Sequence, residues 1–215
     1  MPVVNRGEAL AAGARVLLLD GLIDACGAVA RRIAAEEGAF DLSTMREPYR
    51  VEGKTTMGLE LAEDLRWRLP DVIVYPTGGG TGMDGRRAGG GQRADRAGVQ
   101  ARGVRGGAVG GRGDARGRPG RAIRGGDRLV LEAVRASGGA AVAASEEALT
   151  EAQLLAALLL GSYVAPESGA ALAAVRALRE RGDLDGGEEV VVFDCGIGQK
   201  YPPPAGLAAA ERVAG

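Results

Sequence analysis

From the amino end, the spacing of apolar positions alternates between two periods. Starting at Ala14, the run ARVLLLDG has the length and aliphatic density of a buried strand. The next stretch, IDACGAVARRIAAEEG, spaces Ile23, Cys26, Val29 and Ile33 as one helical face. After a loop carrying Pro48, VEGKTTMGLELAEDLRWRL sets Met57, Leu61, Leu65 and Leu69 four apart, which predicts a second helix closed by Pro70. DVIVYP then reads as a strand.

The alternation resumes beyond residue 126. DRLVLEAVRASG predicts a helix ended by glycine, AAVAAS a strand, and Ser145 with Glu146 and Glu147 a helix start. PESGAALAAVRALRERG is a further helix capped by Gly182, and EEVVVFDCGIG is a strand that runs into a glycine turn. Strands and helices in turn predict an α/β fold, a mainly parallel sheet flanked by helices.

The stretch between these halves breaks the pattern. Residues 84 to 126 hold eleven arginines and three aspartates but no aromatic, leucine, methionine or lysine. That is a net charge of +8 in a chain whose total is -1, so the remainder carries -9. Ordering each backbone residue costs about 1–2 kcal/mol. Only Val99, Val104, Val109 and Ile123 could return about 1.5–3 kcal/mol apiece on burial. Disorder is the expectation, giving three parts: 1–83, the Gly/Arg-rich 84–126, and 127–215.

Composition narrows the chemistry. With no histidine and only Cys26 and Cys195, the chain lacks the ingredients of a zinc site, a disulfide framework or a histidine-based triad, and no metal site is expected. The apolar run AQLLAALLLG falls far short of a membrane span, and no secretory signal follows Met1, so a cytoplasmic protein away from membranes is expected. Lysine occurs only at Lys54 and Lys200, against twenty-five arginines.

The strand VIVYP runs directly into TGGGTG, residues 77 to 82. Without Cβ atoms in the way, backbone N–H groups at such a corner can converge on an anion, and a following helix dipole adds a favourable field. A phosphate suits the place, and the hydroxyls of Thr77 and Thr81 add donors. The corner is neither a Walker loop, since no Gly-Lys-Ser/Thr follows, nor the dinucleotide fingerprint, since its glycines are consecutive. A tight turn with no ligand is the plain alternative.

Taken together, REPYRVEGKTTMGLELAEDLRWRLPDVIVYPTGGGTG at 46–82, GDRLVLEAVRASGGAAVA at 126–143, APESGAALAAVRAL at 165–178 and VVVFDCGIGQKYPPP at 190–204 resemble the threonine synthase family. These are pyridoxal-phosphate enzymes of the type II, tryptophan-synthase-β-like fold. The resemblance implies that Gly78, Gly79, Gly80, Thr81 and Gly82 hold the phosphate of pyridoxal 5'-phosphate. It implies that Cys195 stands beside the pyridine nitrogen as a neutral partner, and that Arg50 grips the phosphate of O-phosphohomoserine. Family members are often dimeric, so a homodimer is one expected arrangement.

The same resemblance exposes departures. The family joins its cofactor to a lysine in a Ser-Phe-Lys-Asp-Arg-like motif that has no match here. Lys54 in EGKTT is read as a helix-start residue, and Lys200 receives no covalent role. No catalytic residue is therefore assigned, the fold is expected to be incomplete at its amino end, and the chain alone is expected to be inactive. The 84–126 text reads like G+C-rich DNA translated out of frame. Two other functions remain open: a threonine or serine dehydratase with the same fold, and RNA binding through the arginine-glycine segment, against which the lack of interleaved aromatics weighs.

Overall fold

A computed structural model describes residues 3–21, 23–43, 46–77, 99–102, 134–204 and 207 of the 215-residue chain. Four helices come first: α1 (Val3–Ala11), α2 (Ile23–Glu37), α3 (Tyr49–Lys54) and α4 (Thr56–Asp64). Strands β1 (Val72–Pro76), β2 (Val99–Arg102) and β3 (Ala141–Ala143) follow. Helices α5 (Glu146–Leu160) and α6 (Pro166–Arg181), strand β4 (Val190–Val192) and a 3-10 turn, Gly198–Lys200, complete the order.

The four strands form one sheet in the order β3-β2-β1-β4, and all three pairings are parallel. Val74 lies opposite Val99 on one side and Val192 on the other. Every residue of β1 is buried, as a strand with a neighbour on both sides and cover above and below demands. After β1 the chain moves strand by strand to one side, then returns to place β4 on the other side of β1. The carboxyl ends of β1 and β4 thus flank the point where the order reverses, the usual position of a ligand crevice in open parallel sheets.

Helix α6 supplies the cover. Its buried face is built of Ala170, Ala171, Ala174 and Leu178, which pack with Val72, Val74, Val142, Leu149 and Leu184. Side chains this small let α6 lie close to its neighbours, and Gly169 marks the tightest approach. A Cβ there would stand 2.6 Å from the Gln153 side chain and 2.7 Å from the Leu149 carbonyl oxygen. Gln153, itself buried, donates from Nε2 to the Val164 carbonyl at 2.8 Å and so ties α5 to the segment entering α6. Ser145 caps α5, its hydroxyl accepting from the Ala148 amide at 3.2 Å. Gly182 ends α6 in the left-handed conformation, φ +75°.

Three expectations fail. Residues 14–19, read as a buried strand, are irregular, with Leu17, Leu18 and Leu19 exposed. An aliphatic run becomes a strand only where another strand pairs with it, and none among the described residues does. The helix expected to run to Leu69 stops at Asp64, because Arg66 and Trp67 adopt left-handed φ of 54° and 61° and Trp67 stays exposed. Within the segment expected to be disordered, residues 99–102 form β2, whose ladder to β1 and β3 is made by backbone groups and needs no large side chain. The rest of 84–126 lies outside the described residues, as does the start of the helix expected from residue 127.

Candidate functional site

Two chain segments leave the sheet side by side. From β1 the chain continues into Thr77, and from β4 it passes through Phe193 and Asp194 to Cys195. Phe193 donates its amide to the Val74 carbonyl at 3.0 Å, extending the β1–β4 ladder by one step. The rings of Tyr75 and Phe193 meet edge to face with centroids 5.3 Å apart. Residues two apart in an extended chain share a face, so Thr77 follows Tyr75, and Cys195 follows Phe193, on the same side.

Thr77 is buried, and its Oγ1 makes no hydrogen bond among the described residues. A buried hydroxyl without a partner is unusual and costly. It is the last described residue before the glycine run at 78–80, and no acceptor for it lies among the described residues. Gly78, Gly79, Gly80, Thr81 and Gly82, the expected phosphate holders, lie outside the described residues. Thr77, Tyr75 and Cys195 lie at the carboxyl edge of β1 and β4.

Cys195 is exposed as a residue, yet the crowding around its sulfur pushes the thiol above its ordinary range, and the carboxylates of Glu167 and Asp194 push it further. Lys54, and a hydrogen bond from Tyr75, act the other way without overcoming these. A neutral, protonated thiol is the result at physiological pH. Burial, together with Cys195, pushes the Tyr75 phenol up to about 12, so this hydroxyl keeps its proton as well.

Arg50 occupies α3, exposed, with its Nη1 donating to the Leu42 carbonyl at 3.1 Å and its amide to Glu47 Oε2 at 3.1 Å. Lys54 lies four residues on, at the end of the same helix, and Met57 beyond it packs on Tyr75. The α3–α4 arm is thereby seated against β1, with Lys54 on the side of the sulfur whose charge it influences. Tyr75, Lys54, Ser168 and Asp194 were not singled out for this site from sequence. The only sequence signal for any of them was position: Tyr75 two residues before Thr77, Asp194 next to Cys195.

The Cys195 loop is held firmly. Ser168, buried in the first turn of α6, donates to Asp194 Oδ1 at 2.6 Å and accepts from the Cys195 amide at 2.9 Å. Gly196 donates to the same carboxylate at 3.3 Å, and its carbonyl accepts from the Ala165 amide at 2.7 Å. Beyond it, Gly198 donates to the Tyr163 carbonyl at 2.8 Å, and Tyr201 donates from its hydroxyl to Glu167 Oε1 at 3.0 Å.

Residues 1–196 match the family described as pyridoxal-phosphate dependent enzyme. The chain belongs to that family. The family's cofactor is pyridoxal phosphate, and the edge formed by Thr77 and Cys195 fits it: a buried hydroxyl without a partner among the described residues at the end of β1, and a protonated thiol just beyond the end of β4. The chain is 28% identical to the threonine synthase of Methanocaldococcus jannaschii over 96% of its length and 56% of that protein's. It is 31% identical to the threonine synthase of Methanosarcina acetivorans over 91% of its length and 53% of that protein's. It thus spans about half of each relative. A solved O-ureido-L-serine synthase, 17% identical, superposes over 93% of this chain and 62% of its own with a TM-score of 0.69 and shares the fold. Among the described residues no helix is long and apolar enough to cross a membrane, and no cluster of three metal-ligating side chains occurs.

Proposed function

We propose that this chain is the cofactor-holding part of a threonine-synthase-like lyase, one whose whole protein converts O-phospho-L-homoserine and water to L-threonine and phosphate. The observation that carries the cofactor side is the buried Thr77 hydroxyl, without a partner among the described residues, just before the glycine run. On the substrate side, support comes from the two threonine synthases that match nearly the whole chain.

In this reading the amides of Gly78, Gly79, Gly80, Thr81 and Gly82 bind the cofactor phosphate, with Thr77 adding a hydroxyl donor. When bound, pyridoxal phosphate supplies a conjugated ring that withdraws electrons from the substrate's α-carbon. Cys195, kept protonated by its surroundings, faces the ring nitrogen as a neutral partner and does not force a proton onto it. Arg50 exchanges its bond to the Leu42 carbonyl for the substrate phosphate, a stronger, charge-assisted acceptor.

Neither lysine matches the residue the family joins to its cofactor. Lys200 is engaged with Glu8 Oε2 at 2.9 Å, and Lys54 closes α3. The chain by itself is therefore proposed to bind the cofactor reversibly and not to turn over substrate. Borohydride treatment of the protein with pyridoxal phosphate, followed by peptide mapping, should leave Lys54 and Lys200 unlabelled while equilibrium dialysis detects binding. Labelling at either lysine accompanied by threonine formation would contradict this. To separate the substrate classes, the cofactor-loaded chain should bind O-phospho-L-homoserine more tightly than L-threonine, and Arg50→Ala should weaken only the former. The reverse preference would point to a dehydratase.

A further inference from the structure

Ser168 is the one buried polar residue of a helix whose other described buried positions are proline, glycine, alanine and leucine. A serine in the first turns usually bonds within its own helix, to a nearby amide or carbonyl. This one reaches 26 and 27 residues along the chain instead, donating to Asp194 Oδ1 at 2.6 Å and accepting from the Cys195 amide at 2.9 Å. The residue is almost wholly buried, whereas Asp194 and Cys195 stand on the exposed side of the loop.

The surrounding backbone explains why such a clasp matters. On its far side the loop is stitched to the segment before α6 by the Ala165–Gly196 and Gly198–Tyr163 hydrogen bonds and by an antiparallel bridge between Val164 and Ile197. On its near side it continues from β4, tied by the Phe193–Val74 bond. Between these anchors, Ser168 Oγ ties both the Asp194 carboxylate and the Cys195 amide to the interior of the fold, while the buried Tyr75 hydroxyl meets the Cys195 sulfur.

We propose that Ser168 is a positioning residue: by joining the Asp194 carboxylate and the Cys195 amide from inside the fold, it fixes where the Cys195 thiol stands at the carboxyl edge of β1 and β4. Without it the loop can move outward, and the sulfur gains solvent and leaves the crowding that keeps it neutral. The purpose of the clasp rests on the cofactor reading above, whereas the clasp itself is a property of the protein alone.

The test is alkylation of Cys195 by iodoacetamide from pH 7 to 10, followed by peptide mapping with Cys26 as internal reference. The charged groups that act on the sulfur, Glu167, Asp194 and Lys54, and the Tyr75 hydroxyl are unchanged in Ser168→Ala except for the release of Asp194. That variant should react at least about threefold faster near pH 8, equivalent to a fall of about half a unit in thiol pKa. Cys26 should not change. Asp194→Ala, at a position exposed to solvent, should also accelerate the reaction. The two substitutions together should fall short of the product of their separate effects, because both open the same clasp. Asp194→Asn, which keeps an acceptor for Ser168 but no charge, should lie between wild type and Asp194→Ala. An unchanged Cys195 rate in folded Ser168→Ala, or fully multiplicative effects in the double variant, would overturn the proposal. Adding pyridoxal phosphate should slow alkylation of the wild-type thiol. If the variants behave as expected and the cofactor gives no protection, the cofactor reading fails and the clasp stands.

Discussion

Thr77→Val should make the ligand-free protein more stable and the cofactor-bound protein weaker. Thr77 is buried, and its Oγ1 has no partner among the described residues. An unsatisfied buried hydroxyl costs about 1–3 kcal/mol, and valine keeps the shape while removing the polar atom. In a protein of this size each kcal/mol moves the melting temperature by roughly 2–4 °C, so differential scanning calorimetry should find the ligand-free variant more stable by at least that much. The bound state should respond in the opposite sense. Losing one hydrogen bond to a charged phosphate forfeits about 1.5–3 kcal/mol, which is at least about a tenfold rise in the dissociation constant for pyridoxal phosphate. Most core changes weaken both states together. A variant that melts lower without ligand, or that binds the cofactor as well as wild type, would refute the argument that this hydroxyl waits for an external acceptor.

The remaining predictions concern the frame around the site. Tyr75 and Tyr201 both have phenols pushed up to about 12, in each case by burial first, so the folded state holds two protons that the unfolded state releases near pH 10. Stability from these groups is fully present below pH 10 and is lost as pH rises toward 12. Urea titrations across that window should show the decline, and Tyr75→Phe should flatten it; a midpoint independent of pH over that range would be inconsistent with the tyrosine environments described. Gly169→Ala places a methyl group 2.6 Å from Gln153 and 2.7 Å from the Leu149 carbonyl. It should cost about 1–3 kcal/mol by forcing α5 and α6 apart. An unchanged denaturation midpoint would mean that the two helices are not in fixed contact there.

Where a stretch carried its own punctuation, its structure could be read from the residues. Ser145 before α5 and Gly182 after α6 mark helix ends through local backbone chemistry, and the short aliphatic runs at β1, β3 and β4 lie between such marks. The run at residues 14–19 looked equally strand-like, but strand formation depends on a neighbour, and an aliphatic run does not record whether one is present. Residues 99–102 show the converse: a segment poor in large side chains still supplies backbone groups to the parallel ladder between β1 and β3.

The site divides in the same way. Its glycine corner stood out because an absence of side chains after a strand is itself a local signal, but residues 78–82 lie outside the described residues and only Thr77 before them is described. Cys195 entered only through the family resemblance, and its surroundings could not be read at all. Tyr75 meets Phe193 because β4 returns beside β1, and Ser168 meets Asp194 because the first turn of α6 lies against the loop leaving β4. Strand order, not spacing along the chain, makes those contacts.

The most direct test of the central claim is to compare pyridoxal phosphate with pyridoxal, which lacks the phosphate, in equilibrium binding to the purified chain. If main-chain amides and the Thr77 hydroxyl hold a dianion at the end of β1, the phosphate should strengthen binding by at least about tenfold, and inorganic phosphate should compete. Equal affinity for the two compounds, with no competition from phosphate, would contradict the account.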